Sequence, residues 1–270
     1  MRILVVGSSG KISREFIERS LYKKKFWITT SKKKLSKKKV IFFDITKSDI
    51  ITIIKKKNIN KVVIFTAISN PAECEAKKKY SYNVNVKYMK KLIRKLISLK
   101  IYFIIFSSEY VFDGRKGNYT EKSKTKSNMI YGKHKIEIEN YIREKNYINC
   151  LILRISKTFG SHINDGTFFT NYLKLYLKGL RYFEIARDQI FSPLYVNDLV
   201  KVIDLSLKKK LTGLYNVCGD TADRRINFIK KFFNKLKIKN VKFVGVPMKK
   251  FDSKILYPIN ISMKNKKIKN

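Results

Sequence analysis

The chain has 270 residues, of which 44% are hydrophobic, enough apolar material for one large domain or two smaller ones sharing a core. No run approaches the ~18 uncharged apolar residues of a membrane span, the opening MRILVVGSSG lacks a signal peptide's apolar core and cleavage site, and Cys74, Cys150 and Cys218 show neither metal-ligand nor CxxC spacing. These exclusions predict a cytoplasmic protein with reduced thiols, no metal site and no membrane partner; the net charge of +41 is a surplus of Lys in short scattered runs, from Lys23–Lys25 and Lys37–Lys39 to Lys208–Lys210.

Because Arg, the residue that forks onto phosphates and guanine edges, is a small minority, the charge reads as a solvated lysine surface shaped by codon usage and not as a nucleic-acid interface. Such a surface still attracts anionic small molecules through its long-range field.

In chain order, RILVV (2–6) reads as a buried strand and runs into VVGSSGKIS, which opens a helix over 10–22. A strand, a glycine turn and a helix in that order form the context of a dinucleotide-binding turn. Gly7 and Gly10 let the backbone turn and approach a pyrophosphate, Ser9, Lys11 and Ile12 border the same turn, and small Ser13 permits close helix packing. The second strand, FWITT (26–30), ends at Thr30, Ser31 and Lys32. An acidic residue there would select NAD; this hydroxyl and ammonium set favours the 2′-phosphate of NADPH, with NADH as the alternative.

A Lys-rich loop leads to a third strand (40–43), after which Asp44 and Ile45 are placed near the adenine. A helix over 47–57 and a strand over 61–67 follow, with the small Thr66 and Ala67, then Ile68, leaving room for cofactor. A helix over 79–98, a strand over 101–108 ending in serines, a helix over 129–146 and a strand over 150–156 complete the alternation. Strand alternating with helix implies an α/β, Rossmann-type doubly wound parallel sheet, residues 1–158.

Beyond residue 158 the pattern is less regular, with helices at 167–179, 196–208 and 223–237 and short strands near 183–186, 214–217 and 241–245. This predicts a smaller C-terminal substrate-binding α/β domain, residues 159–270, partly intertwined with the first, and a loose tail MKNKKIKN.

Tyr131 and Lys135 in NMIYGKHKIEIEN lie four apart, one helical turn, but so do Tyr141 and Lys145. Only the first pair opens its helix beside the carboxyl rim of the fifth strand, where ligands bind in open parallel sheets and where Ser108 ends FIIFSS. His134 points off the Tyr131–Lys135 face and reads as packed or exposed. His162 reads as a loop residue.

At this point the chain resembles the extended short-chain dehydrogenase/reductase superfamily, in its dTDP-4-dehydrorhamnose reductase-like branch. The resemblance rests on GSSGKIS, FFDIT, NPAECE with SYNVNV, FSSEYVFDG, YTE, IYGKHKIEIE, LILRISKTFG, DQIFSPLYVNDL, GLYNVCG and PINIS, in the family's order. It implies an NADPH-dependent reductase of a nucleotide-activated 4-keto-deoxysugar. Nucleotide-sugar epimerase or dehydratase, and a non-catalytic NADP-binding regulatory subunit, are the alternatives within the superfamily, and a homodimer is compatible with each.

By position, Ser108 would bind the substrate carbonyl, Tyr131 would give the proton, and Lys135 would hold the nicotinamide ribose and lower the tyrosine's pKa. Two charges ~4 Å apart at an effective dielectric of ~20 interact by about 4 kcal/mol, or up to ~3 pKa units. Glu109, Lys157, Gln189 and Ser192 would join Ser108 around the substrate. Lys157 stands where the family has a Trp thought to lie against the sugar, Phe191 and Leu194 make one wall bulkier, and Tyr257 replaces the family's Arg.

Overall fold

The computed structural model describes residues 1–35, 39–160, 162–163, 167–251 and 255–269. Seven strands make one parallel sheet, β1 (Ile3–Val6), β2 (Phe26–Thr30), β3 (Val40–Phe42), β4 (Lys61–Ile64), β5 (Tyr102–Ser108), β6 (Cys150–Ile155) and, from much later in the chain, the strand Gly213–Val217. Strand order runs from that late strand through β6, β5, β4, β1 and β2 to β3, which reverses beside β1 and opens a crevice there at the carboxyl ends.

Alternate residues of the strands feed two cores, as a pleat requires. Leu4, Val6, Val62, Ile64, Phe103 and Ile105 face one way, onto α2 (Ile50–Lys57), α5 (Tyr88–Ser98) and α6 (Ile130–Glu144) through Ile54, Leu92, Ile93 and Ile138. Ile3, Val5, Val63, Ile104 and Leu153 face the other, onto Phe16 of α1 (Lys11–Arg19) and onto Leu199, Ile203 and Leu207 of α8 (Val196–Lys209). Both faces are therefore covered, and the strands are continuously apolar for that reason.

The expected helix over 79–98 is broken and begins earlier. Asn70 caps α3 (Pro71–Ala76), whose first residue is Pro, by accepting from the Ala72 and Glu73 amides. After α4 (Lys78–Tyr82), residues Asn83–Lys87 form a π-turn before α5. The fourth strand also stops at Ile64, which leaves Phe65 to Ser69 as irregular chain at the crevice.

In the remaining part β7 (Thr158–Phe159) pairs with β10 (Leu194–Tyr195), β8 (Tyr182–Ala186) with β13 (Lys242–Val246), and β9 (Ile190–Phe191) with β12 (Asp223–Arg224). With α7 (Phe168–Leu177) and α9 (Arg225–Lys235) they enclose an aromatic core of Phe168, Phe169, Phe183, Phe191 and Phe233. The late strand Gly213–Val217, here β11, was expected in this smaller unit but pairs with β6 in the main sheet, because Leu214, Tyr215 and Val217 find apolar partners there.

The tail is docked. The Lys264 backbone amide donates to the Tyr119 carbonyl (2.8 Å), Asn265 Nδ2 donates to the Cys218 carbonyl (3.0 Å), Met263 is buried, and Lys269 of α10 (Lys266–Lys269) pairs with Asp220. In the Lys-rich link, Lys33–Leu35 form one tight turn, while Lys37 and Lys38 lie outside the described residues. Among the described residues no helix is long and apolar enough to cross a membrane, and no cluster of His, Cys, Asp or Glu could hold a metal ion.

Candidate active site

A cleft of about 1090 Å³ runs along the carboxyl rim of the sheet between the two halves of the chain. Ser9, Gly10, Lys11, Ile12 and Ala67 line it together with Ser108, Glu109, Tyr131, Lys135 and Lys157. The dinucleotide turn and the Ser–Tyr–Lys set thus share one space, as the sequence expects.

At the turn, Gly7 has φ +89°, and a Cβ on it would lie 2.5 Å from the Thr66 hydroxyl oxygen and 2.7 Å from the Thr66 amide nitrogen. The left-handed backbone and the close approach both require glycine. Gly10 has ordinary extended geometry as the N-cap of α1, so its bareness leaves space and does not enable the turn. Its carbonyl accepts from the Ser13 hydroxyl at 2.9 Å, which seats the helix start.

Ser108 ends β5 and Tyr131 enters on the first turn of α6. That helix is seated from outside: the Ile130 amide donates to Glu75 of α3 at 2.8 Å, and Gly132 lets the helix touch the chain after Ser108, since a Cβ there would meet Ser127 Oγ and the Tyr110 carbonyl. Tyr131 and Ser108 line the cleft together, and Lys135 Nζ donates to the Phe106 carbonyl at 2.8 Å while lying 5.6 Å from the Tyr131 ring centroid.

The titration of this pair differs from the sequence expectation. Burial pushes the Tyr131 phenol well above its ordinary value, and the neighbouring Ser108 hydroxyl opposes this only in part. Burial likewise lowers Lys135 to about 8, opposed by the Glu139 carboxylate. Tyr131 is therefore a protonated donor and not an incipient phenolate, which suits the delivery of a proton to a nascent alkoxide.

Behind Ser108, Arg154 grips Glu139 with Nε at 3.0 Å and Nη2 at 2.6 Å, and Ser107 donates to the same carboxylate. This buried pair ties β5, β6 and α6 together under the site.

Tyr141 and Lys145 repeat the local geometry, with Nζ 5.5 Å from the ring, but Tyr141 packs on the sheet core away from the cleft. His134 is packed between Tyr82 and Asn85, with its pKa lowered by burial, and His162 is an exposed partner of Arg19.

Other expected residues lie outside the cleft lining. Thr66 buttresses Gly7, Asp44 spends Oδ1 on the Thr46 amide and hydroxyl, and Ile45 packs on the core. The Ile68 amide is held by Asn85 Oδ1 at 2.8 Å. Thr30 accepts from the Lys32 amide at 3.2 Å, and Ser31 and Lys32 are exposed at the end of β2.

Gln189 and Ser192 require a correction, because each is only 1% exposed and sits one layer behind the cleft wall. Gln189 holds the Arg225 guanidinium and Ser192 accepts from the Ser156 hydroxyl through its carbonyl. The residues the sequence reading missed include Arg225, Tyr110, Phe168 and Tyr172 in the lining, and Asn85, which the π-turn aims at the chain beside it. The SYNVNV segment carried a signal for Asn85; Arg225, in a run of basic residues, carried none.

Comparison with known proteins gives four results. The family model described as RmlD substrate binding domain matches residues 1–270. A dTDP-4-dehydrorhamnose reductase of Aggregatibacter actinomycetemcomitans is 27% identical over 214 residues, 78% of this chain and 69% of that protein. The crystal structure of dTDP-4-dehydrorhamnose reductase from Bacillus anthracis str. Ames in complex with NADP superposes with a TM-score of 0.86 at 22% identity, covering 99% of this chain and 92% of that one. A hypothetical dTDP-4-dehydrorhamnose reductase from Sulfolobus tokodaii gives 0.82 at 23% identity, over 100% and 94%.

Proposed function

The chain belongs to the RmlD substrate binding domain family, and from that membership we propose that it is an NADPH-dependent reductase of a nucleotide-activated 4-keto-deoxysugar, with dTDP-4-dehydrorhamnose as the first substrate to try. The observation that carries the reading is that Ser108, Tyr131 and Lys135, with the Lys135 ammonium 5.6 Å from the Tyr131 ring centroid, line the same cleft as the Gly10 turn.

NADPH fits the residues present: Gly7 makes the turn and Gly10 leaves space beside it, the amides at the start of α1 would hold the pyrophosphate, and Thr30 at the end of β2, with Ser31 and Lys32 just after it, would take the 2′-phosphate. When bound, its nicotinamide supplies the hydride. Ser108 and the protonated Tyr131 both donate to the substrate carbonyl oxygen, stabilising charge as it develops there. The phenolic proton then passes to that oxygen. Lys135 would hold the ribose of the cofactor and, once Tyr131 has given up its proton, offsets the phenolate charge.

In this reading residues 1–158 carry the cofactor and residues 159–270 close over the sugar, with β11 and α8 returned to the first part. The enzyme works in the cytoplasm, on precursors of surface polysaccharide.

The test is NADPH absorbance followed with dTDP-4-dehydrorhamnose. Stoichiometric oxidation with formation of the 4-hydroxy sugar is expected. Turnover of a nucleotide sugar with no net NADPH loss would replace this reading with an epimerase or dehydratase, and NADPH binding without turnover on any keto sugar nucleotide would replace it with a regulatory role.

A further inference from the structure

Three charged side chains from distant parts of the sequence meet in the cleft wall: Glu109 just after β5, Lys157 between β6 and β7, and Arg225 at the start of α9. Glu109 is 2% exposed. Its Oε1 accepts the Lys157 amide at 3.1 Å, while Oε2 has no hydrogen-bond partner among the described residues. Arg225 donates through Nη2 to Gln189, yet its buried Nε is likewise unpartnered among them. Both cations lean on one ring, Lys157 Nζ at 5.6 Å and the Arg225 guanidinium at 5.0 Å from the Phe168 centroid.

The charge count of this cluster does not close. Burial raises Glu109 and lowers Lys157, and Arg225 lowers Lys157 further. With one proton shared between Glu109 and Lys157, the three groups carry a net +1 whichever of the two holds it. A partly desolvated, uncompensated cation is costly, and an arriving anion removes that cost. A bare aromatic wall would do nothing of the kind.

We propose that Lys157 and Arg225, with Glu109 as their resident counter-ion, form a subsite that takes an anionic group of the substrate beside the reduction centre. The group is a phosphoryl or carboxylate oxygen set, supplied either by the diphosphate or by a carboxylate on the sugar. Planar, permanently charged Arg225 provides the directed donor and Lys157 the adjustable one. The inference rests on the nucleotide-sugar reading of the cleft given above.

The experiment is calorimetric titration of the full chain, saturated with NADPH, against thymidine, dTDP, dTDP-glucose and dTDP-glucuronate, using the unmodified protein, Lys157→Met, Arg225→Met and Arg225→Lys. Loss of a charge-assisted bidentate contact is worth roughly 10- to 100-fold in affinity. If the diphosphate is the ligand, dTDP binds at least tenfold tighter than thymidine, and Arg225→Met removes most of that gap without changing thymidine. If a sugar carboxylate is the ligand, the gap that closes is the one between dTDP-glucuronate and dTDP-glucose.

Arg225→Lys restores part of whichever gap it is. NADPH affinity reports that each variant is folded, and a variant that fails this check is replaced by the other position. Gaps unchanged in both Met variants, or thymidine and dTDP weakened equally, overturn the proposal. The two readings fail separately: absent turnover with a charge-dependent gap sinks only the reductase assignment, and turnover with no such gap sinks only the subsite.

Discussion

The ammonium of Lys135 lies 5.6 Å from the ring centroid of Tyr131 and is anchored 2.8 Å from the Phe106 carbonyl, so its position is fixed by the strand and not by the tyrosine. Removing the phenol should therefore leave the lysine in place. For Tyr131→Phe we expect NADPH oxidation to fall by 10²- to 10⁴-fold, the range of a lost general acid, with the NADPH dissociation constant within about threefold. Steady-state kinetics and fluorescence titration check both, and a variant retaining full rate removes Tyr131 from the chemistry.

The pH profile should have a descending limb from Lys135. Its pKa is lowered to about 8, so the ammonium is lost as pH rises through that value and turnover falls with it. The stability contribution runs the other way: a lysine whose folded pKa is depressed disfavours the fold while charged, so the protein gains from this group between about 8 and the unfolded value of about 10.4. Kinetics in Lys135→Met should lack the limb, and melting curves across the same interval should lose the gain.

Arg154 and Glu139 are almost fully buried together, and severing one half leaves the other charge stranded. Arg154→Met or Glu139→Gln should cost about 3–5 kcal/mol of unfolding free energy, read by urea denaturation. A loss below about 1 kcal/mol would mean that water reaches the pair.

Gly132→Ala places a Cβ 2.1 Å from both Ser127 Oγ and the Tyr110 carbonyl oxygen. The carbonyl belongs to backbone and cannot swing away, so the first turn of α6 must shift. A displacement near 1 Å at Tyr131 costs about 10²-fold in turnover. Gly10→Ala, which meets only Ser13 Oγ at 3.4 Å, should leave the melting temperature unchanged by comparison.

Cofactor preference should favour NADPH and should depend on Lys32, exposed at the end of β2. Lys32→Glu should reduce the NADPH-to-NADH ratio of kcat/KM by at least ~10-fold, since a carboxylate repels the 2′-phosphate. An unchanged ratio would assign the selection to another cation.

The sequence made the sheet legible because buried parallel strands are runs of Ile, Val and Phe that little else in so polar a chain imitates. It separated Tyr131 from Tyr141 only through location: the two pairs have nearly the same ring-to-ammonium distance, and the fold decides which one faces the cleft. Depth was harder to read. Gln189 and Ser192 occupy the right stretch, but whether a side chain lines a wall or supports it depends on β9 and the segment around Pro258, which are distant in sequence. Tyr131's proton affinity was misjudged for a related reason, since the count of neighbouring charges is visible in the chain and the extent of desolvation is not. Arg225 escaped because one more cation carries no signal in a chain with 61.

Residues 258–263 run back across the molecule, with the Asn260 amide on the Gly114 carbonyl, Tyr119 bridged to Met263, and Gly114 and Gly117 pressed against Pro258 and Asn260. A ribosome that has already made Ser108, Tyr131 and Lys135 has thus not yet made the brace for the loop beyond Ser108. Catalytic competence should arrive abruptly, once residues 258–264 have been made, and a nick behind residue 250 should silence the protein with every reacting group still present.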